Sequence, residues 1–97
     1  THISHAYETG ANLYFIVIGP MDRDRPVRDY RDFHRRIIDA VVAAGGSLSH
    51  HHGVGRLFAS WYPEHIGDVA FEAYRGLKAS LDPHGICNPG AYGLGEG

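Results

Sequence analysis

The chain has 97 residues, of which 43% are hydrophobic and 21% charged, and its formal net charge is -2. Such a chain predicts one small domain, and its balanced composition excludes both a disordered protein and a basic nucleic-acid-binding surface. The longest apolar run, residues 13–18, is too short to cross a bilayer, and the single cysteine, Cys87, excludes an internal disulfide and favours a reducing cytoplasmic compartment.

A β-hairpin is predicted at the start of the chain. Residues 2–7 and 12–18 are rich in β-branched and aromatic types, and residues 8–11 have the composition of a hairpin turn. In the second strand both alternating sets of side chains are apolar, so we expect both faces of the sheet to be covered. A charged connection follows at residues 19–26.

Two amphipathic helices are predicted next. The first begins at Val27, has apolar residues at steps of three and four, and is stopped by Gly45 and Gly46. The second begins at Pro63 and ends at Leu81, because an Asp-Pro pair follows.

Between the helices, residues 47–52 predict a short third strand that runs into a flexible glycine segment, residues 53–55. The tail from His84 has too little apolar material for another regular element. This order predicts an α+β fold, an antiparallel sheet with helices on one face. Because the sequence starts at Thr1 without an initiator methionine and enters a strand almost at once, we interpret it as a fragment of a longer protein.

The candidate site is the segment Gly-Gly-Ser-Leu-Ser-His-His-His-Gly-Val-Gly at residues 45–55. Imidazoles can move protons near neutral pH or hydrogen-bond a phosphate or flavin oxygen, and glycines let a ligand approach the backbone. If the run is extended, His50 and His52 lie on one face and His51 on the other, so at most two imidazoles contact one ligand. The alternative is that all three are ordinary polar residues at the end of a strand.

A zinc site is not predicted. Structural zinc needs about four ligands in a tetrahedral arrangement, and the sequence has no paired zinc-ligand spacing. The other residues that could contribute ligands are scattered along the chain: His2, His5, His84 and Cys87.

Three segments have a family likeness: His-Ile-Ser-His-Ala-Tyr at residues 2–7, Gly-Ala-Asn-Leu-Tyr-Phe at residues 10–15, and Gly-Ser-Leu-Ser-His-His-His-Gly-Val-Gly at residues 46–55. Together with the sequence up to residue 83, they resemble the alkyl-dihydroxyacetone-phosphate synthases, flavoproteins of the vanillyl-alcohol oxidase superfamily. A histidine triplet in this frame is typical of the synthases, whereas lactate and glycolate oxidases usually have one histidine in a Gly-Glu-His-Gly-Val-Gly context. The tail at residues 82–90, Asp-Pro-His-Gly-Ile-Cys-Asn-Pro-Gly, is more similar to those oxidases.

The resemblance implies that residues 1–97 form part of the C-terminal cap domain of an FAD-linked oxidase and that the flavin-binding domain lies outside them. In the synthases, acyl-dihydroxyacetone phosphate loses its fatty acid while a nitrogen of the reduced flavin holds the carbon skeleton, and a fatty alcohol then replaces the acyl group. This is a step of ether-lipid synthesis without net redox change. The chain by itself is expected to be inactive.

The resemblance also assigns roles to individual residues. Tyr14 matches the family's active-site tyrosine, which is proposed to exchange a proton with the substrate. The essential histidine run of the family corresponds to His50, His51 and His52. Three residues are expected to lie against the FAD: Gly53, Gly55 and Asn88.

Two other functions stay open. The tail favours an FAD-linked 2-hydroxy-acid (lactate or glycolate) dehydrogenase or oxidase, in which a histidine accepts the hydroxyl proton as hydride passes to the flavin. The third interpretation is a non-enzymatic α+β module that binds metal or other chains. The expected partners are a small-molecule or lipid substrate, the flavin domain of the same chain and a second copy in a homo-oligomer, and nucleic acid is not expected.

Overall fold

The computed structural model describes residues 1–95. Its elements are the strands β1 (His2–Tyr7) and β2 (Gly10–Tyr14), the helices α1 (Pro26–Ala43), α2 (Tyr62–Ile66) and α3 (Asp68–Leu81), and a one-turn 3-10 helix at Ala91–Gly93. A two-stranded antiparallel sheet combined with helices confirms the predicted α+β class. Within the part of the chain described, no helix combines the length and apolar character needed to span a membrane.

The chain divides into two compact units. The N-terminal unit is Thr1–Ile37 and the C-terminal unit is Ile38–Gly97. The first contains the hairpin and the start of α1, and the second contains the end of α1 together with α2, α3 and the 3-10 helix.

The hairpin of the N-terminal unit contains an irregularity at His5. The strands pair in register from His2 opposite Tyr14 to Ser4 opposite Asn12, and the register then shifts by one residue. His5 is the extra residue of this bulge and has a positive φ of 52°.

The second strand is shorter than predicted. It ends at Tyr14 and not at residue 18, because its pairing with β1 already reaches His2 at that position. Residues 15–18 therefore continue beyond the last pair of the hairpin and form no strand. They are also exposed, Phe15 by 61% and Ile18 by 92%, so the expected cover on both faces is not provided by the described chain.

The end of α1 agrees with the prediction. Gly45 has a φ of 78°, a left-handed conformation that glycine adopts without steric cost. The Gly45 N–H donates to the Val42 carbonyl at 2.9 Å and the Gly46 N–H to the Val41 carbonyl at 2.8 Å. These two bonds are those of a Schellman motif, which satisfies the last carbonyls of a helix.

The predicted second helix is two helices. Gly67, with φ 81° and ψ 155°, separates α2 from α3 because this backbone conformation cannot continue a helix. The Gly67 N–H still donates to the Pro63 carbonyl, and the Phe71 N–H donates to the Gly67 carbonyl, each at 3.0 Å. The chain therefore changes direction without losing these backbone hydrogen bonds.

The buried residues of the described chain all lie in the C-terminal unit: Leu48, Tyr62, Asp82, Ala91 and Leu94. Helix α2 contacts both α3 and the 3-10 helix. The ring of Tyr62 meets that of Tyr92 edge to face at 5.1 Å between centroids and that of Tyr74 at 6.3 Å. The expectation that the tail has no regular element is wrong, because Ala91–Gly93 forms a one-turn 3-10 helix. The tail also contributes Ala91 and Leu94 to the buried residues.

Candidate functional site

Tyr14, the predicted catalytic tyrosine, is the last residue of β2 in the N-terminal unit. Its Cα lies opposite that of His2 in the hairpin, and its side chain is 42% exposed. Tyr14 is therefore partly exposed to solvent.

The three predicted catalytic histidines lie in the C-terminal unit, on a bent loop and not on the predicted strand. The loop begins where α1 is capped, and Leu48, only 6% exposed, anchors it in the buried interior. The Ser47 hydroxyl donates to the Ser49 carbonyl at 2.9 Å, a local bond that favours a turn over an extended strand. We name residues 47–55 the histidine loop.

Because the histidine loop is bent, the alternation expected for a strand does not apply. The Nδ1 atoms of His50 and His51 are 3.1 Å apart, and the ring centroids of His51 and His52 are 4.0 Å apart. All three side chains are exposed. Each imidazole thus lies next to the following one. The predicted strand would instead have placed His51 on the face opposite His50 and His52.

The contact between His50 and His51 has a chemical consequence. A hydrogen bond between two imidazole nitrogens needs one protonated and one unprotonated Nδ1, so one proton lies between the two rings. A group of this kind can accept or deliver a proton at the end of the pair that faces a ligand.

Gly53 and Gly55, predicted to contact the cofactor, have φ values of 77° and 56°. A Cβ added to Gly55 would meet nothing within 4 Å, whereas one added to Gly53 would lie 3.9 Å from the Tyr92 hydroxyl oxygen. The backbone at Gly55 is therefore open to a ligand. The Tyr92 N–H donates to the Gly55 carbonyl at 2.8 Å, so the tail contacts this end of the histidine loop.

The sequence interpretation did not include Tyr92. The available signal was that Tyr92 is the only large aromatic residue in a glycine-rich tail. Its neighbour Tyr62 is buried, and burial raises the pKa of Tyr62, with smaller contributions from Tyr74 and Tyr92 in the same direction. The phenol of Tyr62 is thus kept neutral and packs as an aromatic ring.

The tail loop that contains Asn88 is organised by one carboxylate. Asp82 Oδ1 accepts the Ile86 N–H at 3.0 Å, and Oδ2 accepts the Cys87 N–H at 2.9 Å and Lys78 Nζ at 2.5 Å. Lys78 Nζ also donates to the Cys87 carbonyl at 2.5 Å. We name Lys78, Asp82 and Cys87 the Asp82 cluster.

The Asp82 cluster favours the ionised carboxylate. The bond from Lys78 makes the largest contribution and the Cys87 N–H the next, and together they place the pKa of Asp82 below its ordinary value despite its burial. Asn88 follows directly and has a φ of 46°, and its carbonyl accepts the Ala91 N–H at 3.3 Å. Its backbone is thereby fixed at the start of the turn that leads to Tyr92.

An open groove of about 510 Å³ lies along α3 and the tail. Its charged residues pair with one another, Arg75 with Glu72 at 2.7 Å and Lys78 with Asp82. The residues described along its wall include none of those predicted to be catalytic. It is therefore a surface feature of α3, separate from the histidine loop.

Comparisons with known proteins agree with the likeness seen in the sequence. Residues 1–92 match the family described as FAD linked oxidases, C-terminal domain. The chain is 39% identical over 88 residues to an alkyldihydroxyacetonephosphate synthase of Dictyostelium discoideum, covering 91% of the chain and 14% of that protein. It is 33% identical over 89 residues to the protein of the same name from Trypanosoma brucei brucei, covering 92% of the chain and 14% of that protein.

A third relative has a different name. The chain is 37% identical over 75 residues to a "Probable D-lactate dehydrogenase, mitochondrial" of Danio rerio, which covers 77% of the chain and 15% of that protein. The chain thus spans only a small part of the curated relatives it matches. No solved structure matches it significantly.

Proposed function

The chain belongs to the family of FAD linked oxidases, C-terminal domain, and from this premise we propose that it forms the substrate side of the active site in an FAD-dependent enzyme of the alkyl-dihydroxyacetone-phosphate synthase type. The flavin-binding domain is proposed to lie in another part of the same protein. The observation that supports this function best is the histidine triplet, whose rings are gathered on a loop with an exposed glycine backbone.

The histidine loop fits a flavin and its substrate in chemical character. The backbone at Gly55 is open, since an added Cβ would meet nothing within 4 Å, and imidazole N–H groups are suitable donors to flavin, phosphate or carboxylate oxygens. Gly53, Gly55 and Asn88 are proposed to contact the cofactor. FAD, when bound, would supply the nitrogen that keeps the carbon skeleton of the substrate in place during the exchange of its acyl for an alkyl group.

The chain's own residues are proposed to move protons. Tyr14 exchanges a proton with the substrate carbon, a role for which its partly exposed phenol is accessible. The imidazoles donate to the carboxylate of the departing fatty acid, and His50 and His51 keep one proton between them for this purpose. The exchange needs no net oxidant because one oxygen substituent replaces another at the same carbon.

The test uses the complete protein that contains this chain. With acyl-dihydroxyacetone phosphate and an isotopically labelled fatty alcohol, we expect free fatty acid and labelled alkyl-dihydroxyacetone phosphate in equal amounts. Tyr14→Phe and His52→Ala are each expected to lower turnover by about 100-fold or more, the usual scale for a lost proton-transfer group. The flavin content should stay unchanged.

Matched controls separate catalysis from folding. Tyr7→Phe and His84→Ala remove the same groups at exposed positions outside the proposed site and should leave turnover close to wild type. Wild-type turnover in Tyr14→Phe and His52→Ala would reduce both residues to packing or surface roles.

A second candidate is an FAD-linked 2-hydroxy-acid dehydrogenase. It is favoured by the tail sequence at residues 82–90 and by the likeness to the lactate dehydrogenase relative. In that reaction a histidine would accept the hydroxyl proton of the substrate. Bleaching of the flavin by D-lactate or glycolate, with no incorporation of labelled alcohol, would decide for this candidate.

A further inference from the structure

Tyr92 has an unusual backbone conformation. It is the middle residue of the 3-10 helix Ala91–Gly93, yet its φ of 59° and ψ of 11° lie in the left-handed region. A residue with a side chain rarely adopts this conformation unless its surroundings require it. The residues around Tyr92 therefore indicate which interactions stabilise this backbone conformation.

Three parts of Tyr92 make separate contacts within the C-terminal unit. Its backbone N–H donates to the Gly55 carbonyl at 2.8 Å. Its hydroxyl oxygen lies beside Gly53, where an added Cβ would be 3.9 Å away. Its ring meets the ring of the buried Tyr62 edge to face. Tyr92 thus binds Gly55, lies beside Gly53 and packs on the buried Tyr62.

The tail around Tyr92 has little freedom to move. The Leu94 N–H donates to the Ala91 carbonyl at 3.0 Å, and the Gly90 N–H donates to the Leu94 carbonyl at 3.1 Å. A Cβ on Gly93 would lie 3.0 Å from the Ala59 carbonyl oxygen, so the tail approaches residue 59 more closely than a larger residue would permit. The turn at residues 90–94 therefore holds the backbone of Tyr92 in place.

The histidine triplet is attached at both ends. On its N-terminal side Leu48 is buried, and on its C-terminal side the chain meets Tyr92 at residues 53 and 55. His52 adjoins Gly53 directly. A shift of this glycine would move His52 first, and His51 with it, because the two rings are 4.0 Å apart.

We propose that Tyr92 is a positioning residue for the histidine triplet. It does not contact the reacting atoms; it fixes the backbone at Gly53 and Gly55 and through it the placement of the His52 and His51 imidazoles. This inference rests on the proposed function, in which the imidazoles transfer protons.

The test is a double-mutant cycle between Tyr92 and His52 in the complete protein. Tyr92→Gly removes the ring and hydroxyl but keeps the backbone N–H and accepts the left-handed conformation. We expect kcat to fall by about tenfold with KM nearly unchanged, since small displacements of proton-transfer groups have effects of this size or larger. In the His52→Ala background, Tyr92→Gly should lower kcat by less than about twofold, because the group it positions is gone.

Two further variants control for stability. Tyr74→Ala also removes a ring next to Tyr62, since the two ring centroids are 6.3 Å apart, but Tyr74 is not among the neighbours of Gly53 or Gly55. This variant should lower the melting temperature as Tyr92→Gly does and leave kcat per folded enzyme unchanged. Tyr92→Phe removes only the hydroxyl beside Gly53 and keeps the ring contact with Tyr62, so its kcat should lie between those of Tyr92→Gly and wild type.

The outcomes distinguish this inference from the proposed function. An equal loss from Tyr92→Gly in both backgrounds would overturn the positioning role, and so would wild-type kcat in Tyr92→Gly when His52→Ala is inactive. Full turnover in His52→Ala would overturn the proposed function and the positioning role together.

Discussion

The N-terminal unit is formed by backbone pairing, whereas the C-terminal unit is formed by buried side chains. In the first, the hairpin pairs along five positions, and the large apolar residues from Leu13 to Ile18 are between 42% and 92% exposed. In the second, Leu48, Tyr62, Ala91 and Leu94 are buried. Backbone hydrogen bonds are present in both units, whereas the buried side chains of the described residues lie only in the C-terminal unit.

This division has a physical meaning. Backbone hydrogen bonds make a small net contribution to stability because water satisfies the same groups in the unfolded chain. Burial of apolar surface stabilises a folded chain more strongly. We therefore expect the stability of the chain to come mainly from the C-terminal unit, while the exposed apolar residues of the N-terminal unit are available for contact with another surface.

The largest effect is expected from a matched pair of leucine substitutions. Leu48→Ala removes a side chain that is 6% exposed and should lower the free energy of unfolding by about 2–5 kcal/mol. Leu13→Ala, at a position 53% exposed, should lower it by less than about 1 kcal/mol. Urea unfolding followed by circular dichroism measures both. Equal losses at the two positions would contradict the division between the units.

A smaller effect is expected from Asp82→Asn, which keeps the side-chain volume but removes the negative charge and replaces one of the two acceptor oxygens with an NH2 donor. The pKa of Asp82 is lowered in the fold, first by Lys78 and then by Cys87. Its stabilisation is therefore present above the ordinary aspartate pKa of about 4 and is lost as the pH falls through the lower folded-state value.

The measurement is urea unfolding at neutral pH and below about pH 4. Wild type should lose more stability on acidification than Asp82→Asn, because the variant has already lost this contribution. Glu72→Gln breaks an exposed pair with Arg75 and serves as the control, with an expected change of less than about 1 kcal/mol. An acid response of Asp82→Asn as large as that of wild type would rule out the role of the Asp82 cluster.

Two glycine substitutions test how backbone conformation contributes to the stability of the C-terminal unit. Gly45→Ala places a side chain at a φ of 78° and should destabilise the chain by about 1 kcal/mol. Gly76→Ala lies inside α3 with no atom within 4 Å of the added Cβ and should stabilise it by about 0.5–1 kcal/mol. Thermal unfolding would show opposite shifts, and shifts of the same sign would disprove the capping role of Gly45.

The smallest change in stability is expected at Ile18, which is 92% exposed. Ile18→Ser should alter the free energy of unfolding by less than about 0.5 kcal/mol. We nevertheless predict that the wild-type chain self-associates through its exposed run at residues 15–18 and that this variant does so less. Light scattering after size exclusion at micromolar concentration measures association.

Val69→Ser is the matched control for association. Val69 is 89% exposed and lies on the helix α3, outside the run at residues 15–18. The Val69→Ser substitution should leave self-association unchanged. A monomeric wild-type chain would mean that residues 15–18 do not mediate self-association.

The sequence predicted those elements whose ends are determined by neighbouring residues. The hairpin, the stop of α1 at the glycine pair and the stop of α3 before Asp82 follow from turn residues, glycine and proline, and the structure confirms them. The length of β2 could not be predicted because it depends on where its partner strand begins, and residues 15–18 are as apolar as a strand would be. The division at Gly67 was missed because a glycine between two apolar steps of a helical pattern is often tolerated.

The candidate site was predicted by composition and not by geometry. The histidine triplet was found from its unusual sequence, but its bent shape depends on Leu48 and on the tail, which are distant contacts that no local pattern contains. Tyr92 was missed for the same reason, since its role depends on Gly55, far from it in sequence. The assignment of Tyr14, His50, His51 and His52 to catalysis stays a prediction.

Trp61 gives the C-terminal unit an optical signal of its own. It is the only tryptophan of the chain, and its indole Nε1–H donates to Asp39 Oδ1 at 2.7 Å, which links the last part of α1 to the residue before α2. Tryptophan emission will therefore follow the loss of that contact, whereas the N-terminal unit contributes only tyrosine emission. Fraying of the hairpin would be followed through the emission of Tyr7 and Tyr14.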